Sequence, residues 1–455
     1  METYDVAVVG GGLSGMIVAN MSAEVGLKTL VIEKGPQAPG MNSARISTGM
    51  LSLAGMPLDS PAEKIEEAMT KKTDGEIDPR LAKSIGAAAP RAWDWLVAHG
   101  LQFIRQPTGG ARVAPVGWNV KTKIQPNRGT ELWMRGLYST YKKSGGALML
   151  GSRAKKLVKT KEGWKLTVAT KSGTKTVEAK MVALCDGGFQ ANPKLLDKYV
   201  APHASRCLLR AMPSGTGDGL EMAIANGAGT AGFGRFYGHV TSRDAFKKDL
   251  WPYPWLDAPA LRSLMIDRNG NVLREKTDDG IKLANLLAHT NDPANWFAVM
   301  SDSDWKKFGS AATQGTGGTG PGAIPSAYPY LEDMGGTVHR ADSLEGLAKK
   351  AGIKAAPLKK HYAEYQANDP EVDRSPATYV AVPVISGITF TMGGVAVDDR
   401  GRVVDKKGKP IAGLYAAGST CGGIHGSPVT SGYLGGLAVS ISTAYAVGTD
   451  LKGDA

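Results

Sequence analysis

The apolar run Tyr4-Asp5-Val6-Ala7-Val8-Val9 leads directly into Gly10-Gly11-Gly12-Leu13-Ser14-Gly15, and this junction constrains the fold more than any other segment. Glycine is common here, 59 of 455 residues, so a G-x-G-x-x-G spacing alone says little. Its surroundings say more. A helix-like stretch, Met16 to Val25, follows, and a second strand, Lys28-Thr29-Leu30-Val31-Ile32, ends in Glu33. In such a unit Gly10 permits the sharp strand-to-helix turn, Gly12 lets a pyrophosphate reach the main chain, and Gly15 lets helix and strand pack closely. The helix N-terminus offers N–H groups to phosphate, and Glu33 stands where a ribose hydroxyl needs an acceptor. A plain βαβ unit would need the turn but not the acid. The spacing predicts a dinucleotide-binding unit over residues 4–33.

A chain of 455 residues buries a large core and is expected to hold two or more folding units. Apolar residues make up 42% and charged residues 21%, the composition of a soluble globular protein, and no stretch of about 18 uninterrupted apolar residues occurs. The net charge of +12 favours anionic partners. The lysines are scattered in pairs such as Lys155-Lys156, Lys247-Lys248 and Lys359-Lys360, and no nucleic-acid signature accompanies them. Neither nucleic acid nor membrane is expected as a partner. Cys185, Cys207 and Cys421 form no C-x-x-C pair, which argues for idle thiols in a reducing compartment and against a metal site. The first strand starts almost at the N-terminus, with no signal-peptide pattern before it, so a cytoplasmic location is expected.

Further along, Ala62 to Ala98 carries apolar residues at helical spacing, in pieces punctuated by Pro79 and Pro90. Leu148 to Val182 alternates, with hairpin-like turns at Glu162-Gly163 and Ser172-Gly173, and predicts a small antiparallel sheet. Met181 to Cys185 reads as a buried strand entering another glycine turn, Asp186-Gly187-Gly188. From about Arg235 the texture changes: aromatics and prolines concentrate at Trp251-Pro252-Tyr253-Pro254-Trp255. A glycine-rich loop then runs from Gly309 to Ile324, with the composition of a lid or a connector. Strand-like segments return from Gly387 and end at Leu414 to Ser419, before a final helix.

Six motifs in order resemble the FAD-binding flavoproteins of the succinate dehydrogenase/fumarate reductase superfamily, which includes 3-ketosteroid dehydrogenases and tricarballylate-dehydrogenase-like enzymes. They are Gly10 to Gly15 with Glu33-Lys34; Asn42-Ser43 through Gly49-Met50; Ala183 to Phe189; Gly215-Thr216-Gly217-Asp218-Gly219; Thr391-Met392-Gly393-Gly394-Val395; and Gly413 to Gly418. The resemblance spans nearly the whole chain. It implies an α/β fold, a Rossmann-like FAD-binding domain interrupted by an α+β capping domain. Residues 1–235 and 391–455 would form the FAD-binding domain and residues 236–390 the cap. It also implies FAD as cofactor. Gly12, Ser14 and Gly15 would face its pyrophosphate, Glu33 its ribose, and Asn42, Ser43 and Gly49 its pyrophosphate or ring side. Asp218, Gly418 and Ser419 would reach toward the ribityl-flavin half, and Gly10, Lys34, Ala154 and Leu434 complete the expected contacts. A glutamate often stands in relatives where Ser419 stands here. No histidine or tyrosine is placed for a covalent link, so the FAD is expected to be non-covalent.

Fumarate-type chemistry needs an arginine proton donor and basic residues that grip two carboxylates, because a buried anion is costly without donors. Three expected positions depart from that pattern. In the stretch after Asp267 to Glu275, the expected arginine falls near Gly280. Phe390 occupies the place of a histidine before Thr391-Met392-Gly393-Gly394, and no arginine follows Arg402. What remains near the C-terminus is His425, Thr430, Ser431 and Tyr433, and Phe236-Tyr237-Gly238-His239 lies at the entrance to the cap. A tyrosine with neighbouring donors suits removal of an α-proton beside a carbonyl while a β-hydride leaves to the flavin. Tyr433, Tyr237 and His239 are therefore the candidate catalytic residues; packing at a helix start is the competing role for Tyr433, and structural hydrogen bonding for His239 and His425. Arg274 reads as part of a charged turn. The expected activity is desaturation of a small ketone, in the first instance a cyclic one, or of a carboxylated substrate at a CH–CH bond, with electrons passed to an external acceptor. The alternatives are a fumarate-reductase-like ene reductase and, from another class, a non-catalytic flavin-binding subunit.

Overall fold

The computed structural model describes residues 3–105, 110–113, 129–244, 255–310, 326–427 and 432–453. Strand β1 (Thr3–Val9) lies between β2 (Thr29–Ile32) and the strand Gly173–Leu184, parallel to both. The register sets Val9 opposite Ile32 on one side and Leu184 on the other, so the turns after all three strands leave the same edge of the sheet. Strands Ala147–Met149 and Pro410–Ala416 extend the parallel core. Helix α1 (Leu13–Glu24) begins at Gly12 and is buried without interruption from Leu13 to Ser22. A helix buried on every face needs neighbours all round. The sheet, the helix Gly129–Lys143 and the C-terminal helix Gly436–Lys452 supply them. Val6, Val8, Val18 and Val31 lose all contact with water, each contributing about 1.5–3 kcal/mol of hydrophobic stabilisation.

Two sequence expectations change in detail. The hairpin strands Arg153–Lys159 and Trp164–Thr170 do pair antiparallel, turning near Gly163 and Gly173. They are not a separate sheet, however: their third strand, Gly173–Leu184, continues into the parallel core. The region expected as helical pieces forms two helices, α2 (Ala62–Lys72) and α3 (Pro79–Ala98). Pro79 takes the first turn of α3, where no N–H is needed, and Asp78 caps that end. Pro90 sits inside α3 without ending it. Packing explains this, since Leu81, Ile85, Ala89, Trp93 and Leu96 are all buried along one face.

A second sheet is organised around the long strand Tyr379–Thr391. Strands Phe236–Ser242, Trp296–Ser301 and His339–Ala341 pair with it antiparallel, Leu208–Leu209 parallel, and Leu264–Asp267 follows Trp296–Ser301. The Asn285 side chain, on helix Gly280–Ala288, accepts from the Phe236 N–H and donates to its carbonyl, at 3.2 and 2.9 Å. This pins the helix beside the start of the strand that carries Tyr237 and His239. The turn after Asp267 closes as expected, with Ile266 bridged to Val272, and Arg274 is exposed on it. Trp251 to Pro254, most of the Gly309–Ile324 loop, Thr430 and Ser431 lie outside the described residues.

Candidate active site

A cavity of about 720 Å³ opens between the two sheets. Its volume lies in the upper part of the usual range for ligand pockets, ~300–1,000 Å³. One end is the turn after β1. Gly10 adopts φ +100°, and a Cβ there would come 2.6 Å from the Cys185 carbonyl oxygen. Gly10, Gly12 and Ser14 form the wall at the start of α1, whose first turn has no capping side chain and no acid. Glu33, Lys34, Asn42, Ser43, Ala154, Asp218, Ser419 and Leu434 also line the cavity. Gly15, Gly49 and Gly418 stand behind the lining. Gly15 packs on the Gly10 carbonyl, Gly49 faces Val113 and Thr130, and Gly418 donates its N–H to Thr443.

Charge at this end is tightly arranged. Glu33 is 3% exposed, and its carboxylate accepts N–H groups from Gly11, Gly35 and Met41 at 2.7, 2.6 and 3.2 Å. It thus ties the glycine turn to the loop beyond β2. Asp218 is held beside Lys34 at 3.2 Å and Arg153 at 2.6 and 2.8 Å. Burial alone would raise its carboxyl, but Arg153 and Lys34 hold it below the ordinary value. Asp186, in the second glycine turn, is pushed up to about 6 by burial, against the pull of Lys34 and the Gly219 N–H. One buried oxygen each of Asp186 and Gln190 has no hydrogen-bond partner among the described residues. Both residues line the cavity. Main-chain donors at a helix start suit phosphates, and buried acceptors suit sugar hydroxyls. The cradle fits a dinucleotide that carries both.

The opposite wall brings Tyr237, His239 and Tyr433 together from two distant parts of the chain. The two tyrosine rings stack, with centroids 4.0 Å apart and planes 14° apart. His239 Nε2 is 2.9 Å from the Tyr237 hydroxyl, and its Nδ1 is 2.5 Å from Asp257 Oδ2. The other Asp257 oxygen accepts the Val240 N–H at 2.8 Å. Burial keeps the His239 imidazole below its usual range, although Asp257 pulls the other way. A neutral ring facing a carboxylate carries its proton on Nδ1, so Nε2 accepts from the Tyr237 O–H. Trp255 stacks on His239 at 3.6 Å and fixes its plane. The Tyr433 oxygen accepts the Gly436 N–H at 2.8 Å. Burial pushes its phenol up to about 12, opposed most by the Gly436 N–H. His425 lies behind this wall, where its Nδ1 accepts the Leu434 N–H at 3.2 Å, and burial brings it down to about 3.

Three residues of this wall were not marked by the sequence: Asp257, Arg210 and Trp255. Only Trp255 carried a signal, as the end of the aromatic and proline cluster. Gly280, where relatives suggested an arginine, has a different duty. A Cβ there would come 2.3 Å from Asp257 Cγ, so glycine makes room for the carboxylate. Phe390 lines the cavity 5.4 Å from the Tyr237 ring. Among the described residues no cluster of His, Cys, Asp or Glu is arranged to hold a metal ion.

The family described as FAD binding domain matches residues 5–432. A fumarate reductase (cytochrome) of Shewanella frigidimarina is 27% identical over 478 residues, covering 96% of this chain and 75% of that protein. A 4-oxocyclohexanecarboxylate 2-dehydrogenase of Sinomonas cyclohexanicum is 26% identical over 335 residues, covering 61% of this chain and 54% of that protein. The solved 3-ketosteroid delta1-dehydrogenase of Sterolibacterium denitrificans shares the fold with a TM-score of 0.75 at 18% identity, covering 100% of both chains.

Proposed function

Because this chain belongs to the FAD-binding flavoproteins of the succinate dehydrogenase/fumarate reductase superfamily and is an FAD-dependent oxidoreductase, we propose that it desaturates a carbonyl compound at the CH–CH bond next to the carbonyl. The observation that carries this reading is the hydrogen-bonded chain Asp257–His239–Tyr237 opening into the cavity against Tyr433. When bound, FAD supplies the two-electron acceptor for the β-hydride. The protein handles the α-proton. The neutral Tyr433 phenol donates a hydrogen bond to the substrate carbonyl and steadies the enolate. The Tyr237 oxygen receives the α-proton as its own proton passes to His239 Nε2, and Asp257 balances the imidazolium charge. Gly10, Gly12 and Ser14 hold the cofactor phosphates in this reading, and Glu33 with Asp186 and Gln190 its hydroxyls. We also propose that residues 1–235 and 391–455 form the cofactor domain and residues 236–390 its cap. The FAD is held non-covalently, and an external acceptor takes its electrons in a cytoplasmic setting. Among the described residues, no helix is long and apolar enough to cross a membrane.

The second reading is the reverse reaction, an ene reductase, favoured by the likeness to the fumarate reductase of Shewanella frigidimarina. The two differ in direction. Anaerobic mixing of the yellow holoenzyme with saturated cyclic ketones should bleach the flavin, while the matching enones leave it oxidised. Reaction of only the pre-reduced enzyme, with reoxidation by an enoate, would replace the first reading with the second.

A further inference from the structure

Glu76 stands in the turn between α2 and α3, outside the lining of the cavity, and joins three distant parts of the chain. The turn presents it firmly. Its own N–H donates to the Thr73 carbonyl at 3.0 Å, and the next residue, Ile77, is buried in the core. Glu76 Oε2 accepts Nη1 of Arg235 at 2.9 Å and the Ser427 N–H at 2.6 Å, while Oε1 accepts the Ser427 hydroxyl at 2.6 Å. The same Arg235 nitrogen donates to the His425 carbonyl at 3.2 Å. Burial alone would raise the Glu76 carboxyl, but Ser427 and then Arg235 hold it below its ordinary value. The three donors therefore meet an anion, which strengthens each hydrogen bond.

What this joint holds is the loop that leads into Tyr433. The Gly426 N–H donates to the Gly432 carbonyl at 2.9 Å and the Gly432 N–H to the Ser427 carbonyl at 3.3 Å, so the two ends of the loop are zipped together. A Cβ on Gly432 would come 2.3 Å from Gly426 Cα, a contact that only glycine allows. Ser427 cannot shift without Gly432, and Tyr433 is the next residue. The partner ring, Tyr237, is placed separately. Its strand pairs along its length with Tyr379–Thr391 and is pinned by Asn285, and the Arg235 carbonyl accepts the Met392 N–H at 3.1 Å. Building on the reaction read above, we propose that Glu76 is a positioning residue, which through Ser427 and Arg235 holds the Tyr433 phenol in its stack on Tyr237. It touches no reacting atom and acts through Tyr433.

The test pairs Glu76→Ala, which removes the acceptor for all three donors, with Glu76→Gln. The glutamine oxygen can accept from Arg235 and the Ser427 N–H while its nitrogen donates to the Ser427 oxygen. Anaerobic bleaching of the holoenzyme by a saturated cyclic ketone gives a limiting rate and a half-saturating concentration. In holoenzyme carrying 3-fluorotyrosine, ¹⁹F NMR reads the Tyr433 ring, its signal assigned by its loss in Tyr433→Phe. Glu76→Ala should slow limiting bleaching about tenfold, short of the ~10²-fold that a 1 Å misplacement can cost. Half-saturation and FAD content should stay within about twofold of wild type, and the Tyr433 signal should move toward that of free 3-fluorotyrosine. Glu76→Gln should recover most of the rate and the wild-type signal. In a Tyr433→Phe background Glu76→Ala should cost less than about twofold, because effects that pass through one residue do not add. Glu76→Asp, too short to reach Ser427 and Arg235 together, should fall between the two and serves where the alanine protein does not fold. An unmoved Tyr433 signal in Glu76→Ala overturns the joint. So does a loss of rate that persists undiminished in the Tyr433→Phe background, or a moved signal at wild-type rate. Failure of every saturated ketone to bleach the wild-type flavin would refute the desaturation reading instead, and the joint then stands or falls by the ¹⁹F signal.

Discussion

The two ends of the cavity are built from different material. The cradle at β1 and α1 is main chain: a turn at φ +100°, a helix start without a capping side chain, and amides gathered by Glu33. The wall at Tyr237 and Tyr433 is side chain, with a carboxylate, an imidazole and two phenols in series. A main-chain site depends on what is missing from a residue, so a single added carbon can destroy it. A side-chain site depends on atoms that can be removed one at a time. The cradle should therefore fail as a whole and the wall by degrees.

The largest effect should follow Gly15→Ala. Its Cβ would stand 1.9 Å from the Gly10 carbonyl oxygen, which belongs to the turn itself. Helix α1 must then move off the sheet, and overpacking of this kind costs about 1–3 kcal/mol before any loss of cofactor contacts. The expected outcome is protein purified without yellow colour, with a lowered Tm and no activity. Wild-type FAD content in this variant would break the contrast between the two ends.

The same contrast explains what the sequence made legible. The glycine spacing, the two short strands and Glu33 lie within thirty residues, and local geometry determines what they can be. The wall joins residues 237, 239, 257 and 433, and nothing in their spacing marks them as neighbours. Tyr237 and His239 stood out in the sequence at the entrance to the cap. Asp257 and Arg210 did not, because their importance lies in what the second sheet brings to them. Pro90 escaped for a related reason: local rules end a helix there, and tertiary packing overrides them.

Tyr433→Phe should come next in size. The ring and its stack on Tyr237 survive, and only the hydroxyl is lost. Flavin bleaching by a saturated ketone should slow by about 10²–10³-fold at unchanged FAD content. A rate within twofold of wild type would make Tyr433 a packing residue and dissolve half of the wall.

The wall should also yield to acid before the cradle does. His425 is brought down to about 3 by burial, whereas an unfolded histidine titrates near ~6.5. The native state therefore favours the neutral ring. The corresponding stability is fully present above pH 6.5 and is lost as the pH falls toward 3. At pH 5 the loss is about 2 kcal/mol. Protonation also removes the acceptor for the Leu434 N–H, next to Tyr433. Denaturant titrations at pH 8 and pH 5 should show this drop in the wild-type protein. In His425→Gln, whose amide oxygen can accept the same N–H, the drop should be smaller by that amount; parallel pH profiles would exclude His425 as its source.

The smallest of these effects, and the most specific, is expected for Asp257→Asn. One amide atom must satisfy the Val240 N–H, and only the oxygen can accept it. The amide nitrogen is then turned toward His239 Nδ1, as a donor where an acceptor stood. A neutral imidazole responds by moving its proton to Nε2, which now donates to the Tyr237 oxygen rather than accepting from its hydroxyl. The chain of hydrogen bonds runs backwards, and Tyr237 loses the group that takes its proton. Turnover should fall roughly tenfold, a fraction of what a directly acting acid or base contributes, with FAD content, Tm and half-saturation close to wild type. The reversal is visible without turnover: the ¹⁵N shifts of His239 should exchange the protonated and unprotonated nitrogens. An unchanged tautomer with a tenfold loss would mean that Asp257 acts through its charge alone, and an exchanged tautomer with full activity would mean that the relay carries no proton.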